Sequence, residues 1–165
     1  MNRLELFRVN LDYVKYLWSF DNRVQYNSDK PDFYNQNRPY VGIVLSINNF
    51  DYFVPLEHPR KAHKTLKSNC FLLKIMDGKY GLMAFNNMIP IDKAYLIDFD
   101  IEKEKPHYYN ILLNQLNFCN DNKSTIKEKA ENTYSKRTNS PNAFLKKNCC
   151  NFNILEEKAP LFRKS

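Results

Sequence analysis

The sequence predicts an α+β fold: a small antiparallel sheet or open barrel with helices packed on it, and a helical C-terminal third. Three observations carry this. Apolar runs of strand length, separated by turn residues, fill the region from Tyr40 to Phe99. After Pro106 the apolar spacing becomes helical, with Tyr109, Leu112, Leu113, Leu116 and Cys119 on one stripe. The composition, 43% hydrophobic and 15% aromatic over 165 residues, suffices for a real core in one domain spanning 1–165.

Arg3 to Val9 reads as a short strand. Asn10 is a helix N-cap, with Asp12 in the first turn where the helix dipole favours an anion, and the helix runs from Leu11 to Phe20. Leu11, Val14, Leu17 and Trp18 form its core stripe, flanked by Tyr13, Tyr16 and Phe20. Asp21 to Pro39 is polar and turn-rich; so long a loop in a small domain suggests function. Tyr40 to Ile47 is a strand with Val41, Ile43, Leu45 and Ile47 on one face. A turn at Asn48-Asn49 leads into a second strand, Tyr52 to Leu56, with Tyr40 opposite Leu56. A basic segment, Glu57 to Lys67, follows, and Pro59 suits the first turn of a short helix there. Asn69 to Met76 and Lys79 to Phe85 form a hairpin around Asp77-Gly78. Ile89 to Ile91 and Ala94 to Phe99 are further strands. The C-terminal third holds the helix from Pro106, broken at Asn120-Asp121-Asn122, then a charged surface helix from Ser124 to Arg137 and a short one from Pro141 to Lys147.

Charge narrows the function. With 25 Lys+Arg against 18 Asp+Glu, the net charge is +7, which favours a polyanionic partner through counterion release. Only 3 Gly exclude the glycine-rich phosphate loops of dinucleotide folds and P-loops. No run approaches the roughly 20 apolar residues of a membrane span, and the N-terminus lacks the apolar core of a signal peptide, so a cytoplasmic protein is expected. Cys70, Cys119, Cys149 and Cys150 show no Cys-x-x-Cys spacing, and the 3 His pair with no cysteine at ligand spacing. Free thiols, no metal and no cofactor are therefore expected.

The richest chemistry lies in Glu57 to Lys67. It leaves a strand directly, so its first residues stand on a fixed base. Arg60 and Lys61 can clamp a phosphate, and an imidazole at His58 can move a proton near neutral pH. A solvated basic helix face would carry the same residues without that function. Arg38 ends the long loop just before the first hairpin strand, so it and Glu57-His58 bracket the hairpin's open end. Two cations and an imidazole at one mouth suit a phosphodiester.

Here the chain resembles a known family. Tyr13-Val-Lys-Tyr-Leu17 with Phe20-Asp21, Tyr34 to Arg38, Gly42-Ile-Val-Leu45, Val54-Pro-Leu56 with Pro59-Arg60 and His63, Met88-Ile-Pro-Ile91, and Cys150-Asn-Phe152 with Leu155-Glu-Glu-Lys158 are similar, in order and spacing, to the ToxN/AbiQ endoribonuclease toxins of type III toxin–antitoxin systems. The resemblance implies a strongly twisted antiparallel sheet of the MazF/Kid type. It implies metal-free cleavage of A-rich cellular or phage RNA, leaving 2′,3′-cyclic phosphate and 5′-hydroxyl ends. It also implies inhibition by a repeated RNA pseudoknot that the toxin processes and binds in a closed toxin–RNA assembly. The family's active-site segment usually reads Pro-Leu-[Thr/Ser]-Ser-Pro-Lys; here it is Pro55-Leu56-Glu57-His58-Pro59-Arg60. The basic residue before the first hairpin strand is matched by Arg38. The cations keep their type and the hydroxyl pair does not, so no serine role carries over.

The expected catalytic set is thus Arg38, Glu57, His58 and Arg60. The guanidiniums stabilise the phosphorane, while His58 and Glu57 move or orient protons. Tyr13, Lys15, Tyr16, Arg23, Tyr34, Lys61, His63 and Lys64 are the expected RNA contacts. Cys149, Cys150 and the residues after them are expected to pack and dock the C-terminus. The competing readings are a noncatalytic RNA-binding module, with Glu57-His58 marking a lost site, and a DNA-binding regulator, which the lack of a helix-turn-helix pattern disfavours.

Overall fold

The computed structural model describes residues 2–67, 69 and 71–163. The first strand, β1 (Glu5–Val9), passes directly into helix α1 (Leu11–Phe20), because the Asn10 side chain accepts the Tyr13 N–H at 3.2 Å and caps the first turn. Tyr13 is not on the flank of α1 but in the core with Val14 and Leu17, and its hydroxyl donates to the Pro90 carbonyl. The polar stretch after α1 is not wholly irregular. It contains a five-residue helix, α2 (Asp32–Gln36), started by Pro31 and tied back by the Asn35 amide, which donates to the Asn27 carbonyl at 2.9 Å.

The central hairpin is β2 (Tyr40–Ile47) and β3 (Phe50–Glu57). Asn48 and Asn49 turn it with φ of 54° and 67°, the left-handed pair that a two-residue hairpin with the native strand twist demands. Pairing runs Ile47↔Phe50 to Leu45↔Tyr52, then shifts, and resumes at Val41↔Val54 and Tyr40↔Pro55. The shift corrects two expectations. Tyr40 faces Pro55, not Leu56, and the one-face alternation fails, since Val44 turns inward while Ile43 stands in solvent.

The Asp77-Gly78 hairpin pairs only β4 (Leu72–Lys74) with β5 (Leu82–Ala84). Residues 75–81 coil between them, with Met76, Asp77, Gly78 and Gly81 all at positive φ, so the strands are shorter than the apolar runs suggest. Next come β6 (Ile89–Pro90) and β7 (Leu96–Asp98). The Asp92 carboxylate caps a 3-10 turn over Lys93–Tyr95, which removes the first half of the strand expected from Ala94. All pairings are antiparallel, in the order β4-β5-β3-β2-β1-β7, with β6 sharing the β5 edge of β3.

Four helices close the C-terminal third: α4 (Pro106–Asp121), α5 (Lys123–Thr138), α6 (Ala143–Asn148) and α7 (Phe152–Lys158). α5 is less superficial than its charge suggests. Ile126, Ala130, Thr133 and Tyr134 recur at helical spacing and are buried. Tyr134 stacks on Phe152 with centroids 5.4 Å apart, and the Tyr52 and Tyr134 hydroxyls both donate to Glu156, clamping α5 and α7 onto β3. Cys119, Cys149 and Cys150 are free and fully buried, and burial pushes the thiols of Cys119 and Cys149 up to about 12, which keeps them protonated and unreactive. Cys70 lies outside the described residues. Among those residues no helix is long and apolar enough to cross a membrane.

Candidate active site

The open end of the β2–β3 hairpin is fixed by the Leu56 N–H, which donates to the Pro39 carbonyl at 3.0 Å. Arg38 therefore enters beside the strand from which Glu57 and His58 leave. Arg38 has no ion pair and no side-chain hydrogen bond among the described residues. Its charge acts on the phenols of Tyr40 in β2 and Tyr108.

After Glu57 the chain needs a rigid exit, and three features supply it. Pro59 keeps His58 out of helical conformation. Helix α3 (Lys61–Thr65) then begins two residues after Pro59, which lies outside its first turn, with Arg60 as its N-cap. His63 lies beneath, only 2% exposed, with Nδ1 accepting the Arg60 backbone N–H at 3.3 Å and Nε2 lying 3.4 Å from the Arg60 Nε. A neutral imidazole has one ring acceptor, so it holds one of these donors at a time.

Gly78 and Gly81 buttress the same loop from the β4–β5 connection. A Cβ on Gly81 would come within 1.9 Å of the Glu57 carbonyl oxygen, and one on Gly78 within 2.7 Å of the His63 backbone. Both glycines have positive φ, 86° and 89°. Gly81→Ala is therefore expected to cost at least about 2 kcal/mol in urea denaturation, from backbone strain and displacement of Glu57. A loss under about 0.5 kcal/mol would show that this approach is not tight.

The exposed groups at the mouth are His58 and Arg60. The Arg60 guanidinium donates to the Glu57 carboxylate at 2.9 Å, an ion pair with the arginine side chain 66% exposed. The His58 side chain has no hydrogen bond among the described residues; its ring lies tilted against that of Tyr108, with centroids 6.2 Å apart. Burial lowers the His63 pKa, Glu57 opposes this, and Arg60 and His58 add to the lowering. A His held below its unfolded value contributes stability that is full above about pH 6.5 and is lost as pH falls toward the folded pKa. Wild type should thus lose stability on acidification through that window more steeply than His63→Gln, as read by melting temperature against pH.

The expected catalytic residues Arg38, Glu57, His58 and Arg60 thus come together. The expected RNA contacts divide. Tyr13 is buried, and no RNA can reach it without unfolding the core. The Tyr16 hydroxyl donates to the Lys158 carbonyl at 2.8 Å, and its ring packs on Phe162, so it docks the C-terminus. Arg23 is tied to the buried Asp21 carboxylate at 2.6 Å and donates to the Lys146 carbonyl; Asp21 also accepts the Asn151 N–H. These two hold the fold because the C-terminal helices return onto α1, a long-range packing that local sequence does not show. His63 supports the loop from below. Lys15 pairs with Asp32 of α2 at 3.1 Å, and that hydrogen bond raises its pKa. Tyr34, Lys61 and Lys64 are exposed.

Sequence reading missed Tyr108, which packs beside His58 from a helix fifty residues further on. A helix start bearing two tyrosines, after Pro106, was its one signal. A concavity of about 920 Å³ lies elsewhere: it is lined by residues that include Phe7, Ile43, Phe53 and Lys127, and none of the four mouth residues borders it. Among the described residues no three of His, Cys, Asp and Glu converge as a metal site.

Known proteins resemble this chain over nearly all of its length. Residues 5–159 match the family model described as Toxin ToxN, type III toxin-antitoxin system. The endoribonuclease ToxN of Pectobacterium atrosepticum is 31% identical over 98% of this chain and 95% of its own. The endoribonuclease AbiQ of Lactococcus lactis subsp. lactis is 29% identical, covering 98% and 90%. The structure of AbiQ, described as a lactococcal anti-phage endoribonuclease, superposes with a TM-score of 0.82 at 28% identity over 97% of this chain and 98% of that one. A second structure, of a type III system whose toxin is inhibited by a non-coding RNA pseudoknot, gives 0.82 at 30% identity, covering 99% and 100%.

Proposed function

Since the chain belongs to the ToxN family of type III toxin–antitoxin toxins, we propose that it is an endoribonuclease whose site is the mouth formed by Arg38, Glu57, His58 and Arg60. One observation carries this: Arg38 enters beside the strand from which Glu57 and the exposed His58 leave, and Arg60 pairs with Glu57 there, on a loop braced from below by His63 and Gly81. RNA cleavage through its own 2′-oxygen needs that oxygen deprotonated, the phosphorane charge stabilised and the 5′-oxygen protonated. Arg38 and Arg60 meet the second need by charge-assisted hydrogen bonds. His58 and Glu57 share the proton transfers, replacing the hydroxyl pair usual in the family.

In this reading the reaction needs no metal, prefers A-rich cellular or phage RNA, and leaves 2′,3′-cyclic phosphate and 5′-hydroxyl ends. The enzyme works in the cytoplasm. A repeated RNA pseudoknot holds it inactive in a closed toxin–RNA assembly, as the pseudoknot-inhibited relative suggests. Lys15, Tyr34, Lys61 and Lys64 are its proposed RNA contacts around the mouth.

Expression without the antitoxin RNA should arrest growth, and co-expression should restore it. Affinity for the inhibitory RNA should fall steeply with salt, because each phosphate neutralised releases counterions. The pair of measurements is growth on induction and a binding titration across a salt series. Normal growth with abundant soluble protein would overturn the proposal, and a flat salt response would mean that shape and base contacts dominate.

A further inference from the structure

Tyr108 stands at the mouth half-buried, with its ring packed against the edge of the core. Its ring, from the first turn of α4, lies 6.2 Å from that of His58 and tilted by 48°, within the range of a paired aromatic contact. Its hydroxyl has no hydrogen-bond partner among the described residues and is not sealed from solvent. The charged groups acting on it are Arg8, Glu104 and Arg38. Arg8 is itself held rigidly, 2.7 Å from the Glu104 carboxylate and stacked over the Phe99 ring at 3.8 Å. Burial, the largest influence, raises the phenol's pKa, so it stays a neutral hydrogen-bond donor.

From these contacts we infer that Tyr108 touches the substrate, donating its hydroxyl to the sugar–phosphate backbone of the bound RNA strand while its ring backs His58. A neutral donor with no partner among the described residues, beside an exposed imidazole, suits an anionic phosphate oxygen. One side of the His58 ring is bounded by Tyr108, and the residue is exposed, so an RNA strand can reach it.

This rests on the ribonuclease reading, and the experiment separates the two. Cleavage of an A-rich oligonucleotide is measured for wild type, Tyr108→Phe and Tyr108→Leu, with melting temperatures alongside. Tyr108→Phe keeps the ring and should lower kcat/KM by about ten- to a hundredfold, as expected for losing a hydrogen bond to a charged group, at an unchanged melting temperature. Tyr108→Leu should fall further, because the wall behind His58 goes too. A Tyr108→Phe enzyme at the wild-type rate would overturn the inference and leave the ribonuclease reading intact. An inactive wild type would instead overturn that reading.

Discussion

Arg60→Ala should cut the RNA cleavage rate by about 10²–10³, some 2.7–4 kcal/mol of transition-state stabilisation, while leaving the fold intact. The two halves of this expectation have separate causes. The guanidinium is mostly exposed and its partnership with Glu57 is a surface ion pair, worth at most about 1 kcal/mol. The backbone N–H that donates to His63 survives the substitution, so α3 keeps its start. Initial rates and melting temperatures on the same protein preparation read both. Full activity in Arg60→Ala would remove the guanidinium from the mechanism, and collapse of the fold would show that the Glu57 pairing matters more than its exposure implies.

His58→Gln should lower the rate by about 10²–10⁴, because an amide keeps some hydrogen bonding but transfers no proton. Imidazoles change charge between pH 5 and 8, and only one protonation state serves each proton-transfer role. Wild-type rates should therefore vary across that range, and the variation should be lost in His58→Gln. If His58 only binds phosphate, His58→Lys would retain most activity with a shallow profile. An active His58→Gln enzyme with an unchanged profile would shift the proton transfer to Glu57.

How far these residues speak through sequence depends on the range of the interaction. Local signals were legible. The Asn10 cap, the Asn48-Asn49 turn and Pro106 at a helix start act within a few residues, and the elements they bound lie where expected. Arg38 and Glu57-His58 could be placed at one mouth because a hairpin relates them by a single turn. What failed was set by distant packing. The register shift in β2 moved Ile43 outward, and nothing local in the apolar alternation announces it. Tyr13, Tyr16 and Arg23 resembled surface contacts until the returning C-terminal helices covered them. Tyr108 was missed for the same reason, since its neighbour His58 is on another element.

The most direct measurement is end-group analysis of an A-rich RNA incubated, in chelator, with purified wild-type and His58→Gln protein. The mouth described here predicts that wild type yields fragments with 2′,3′-cyclic phosphate and 5′-hydroxyl ends and that His58→Gln yields almost none. RNA bound but left whole by the wild-type protein would contradict it, and Glu57-His58 would then mark a binding module that no longer cleaves.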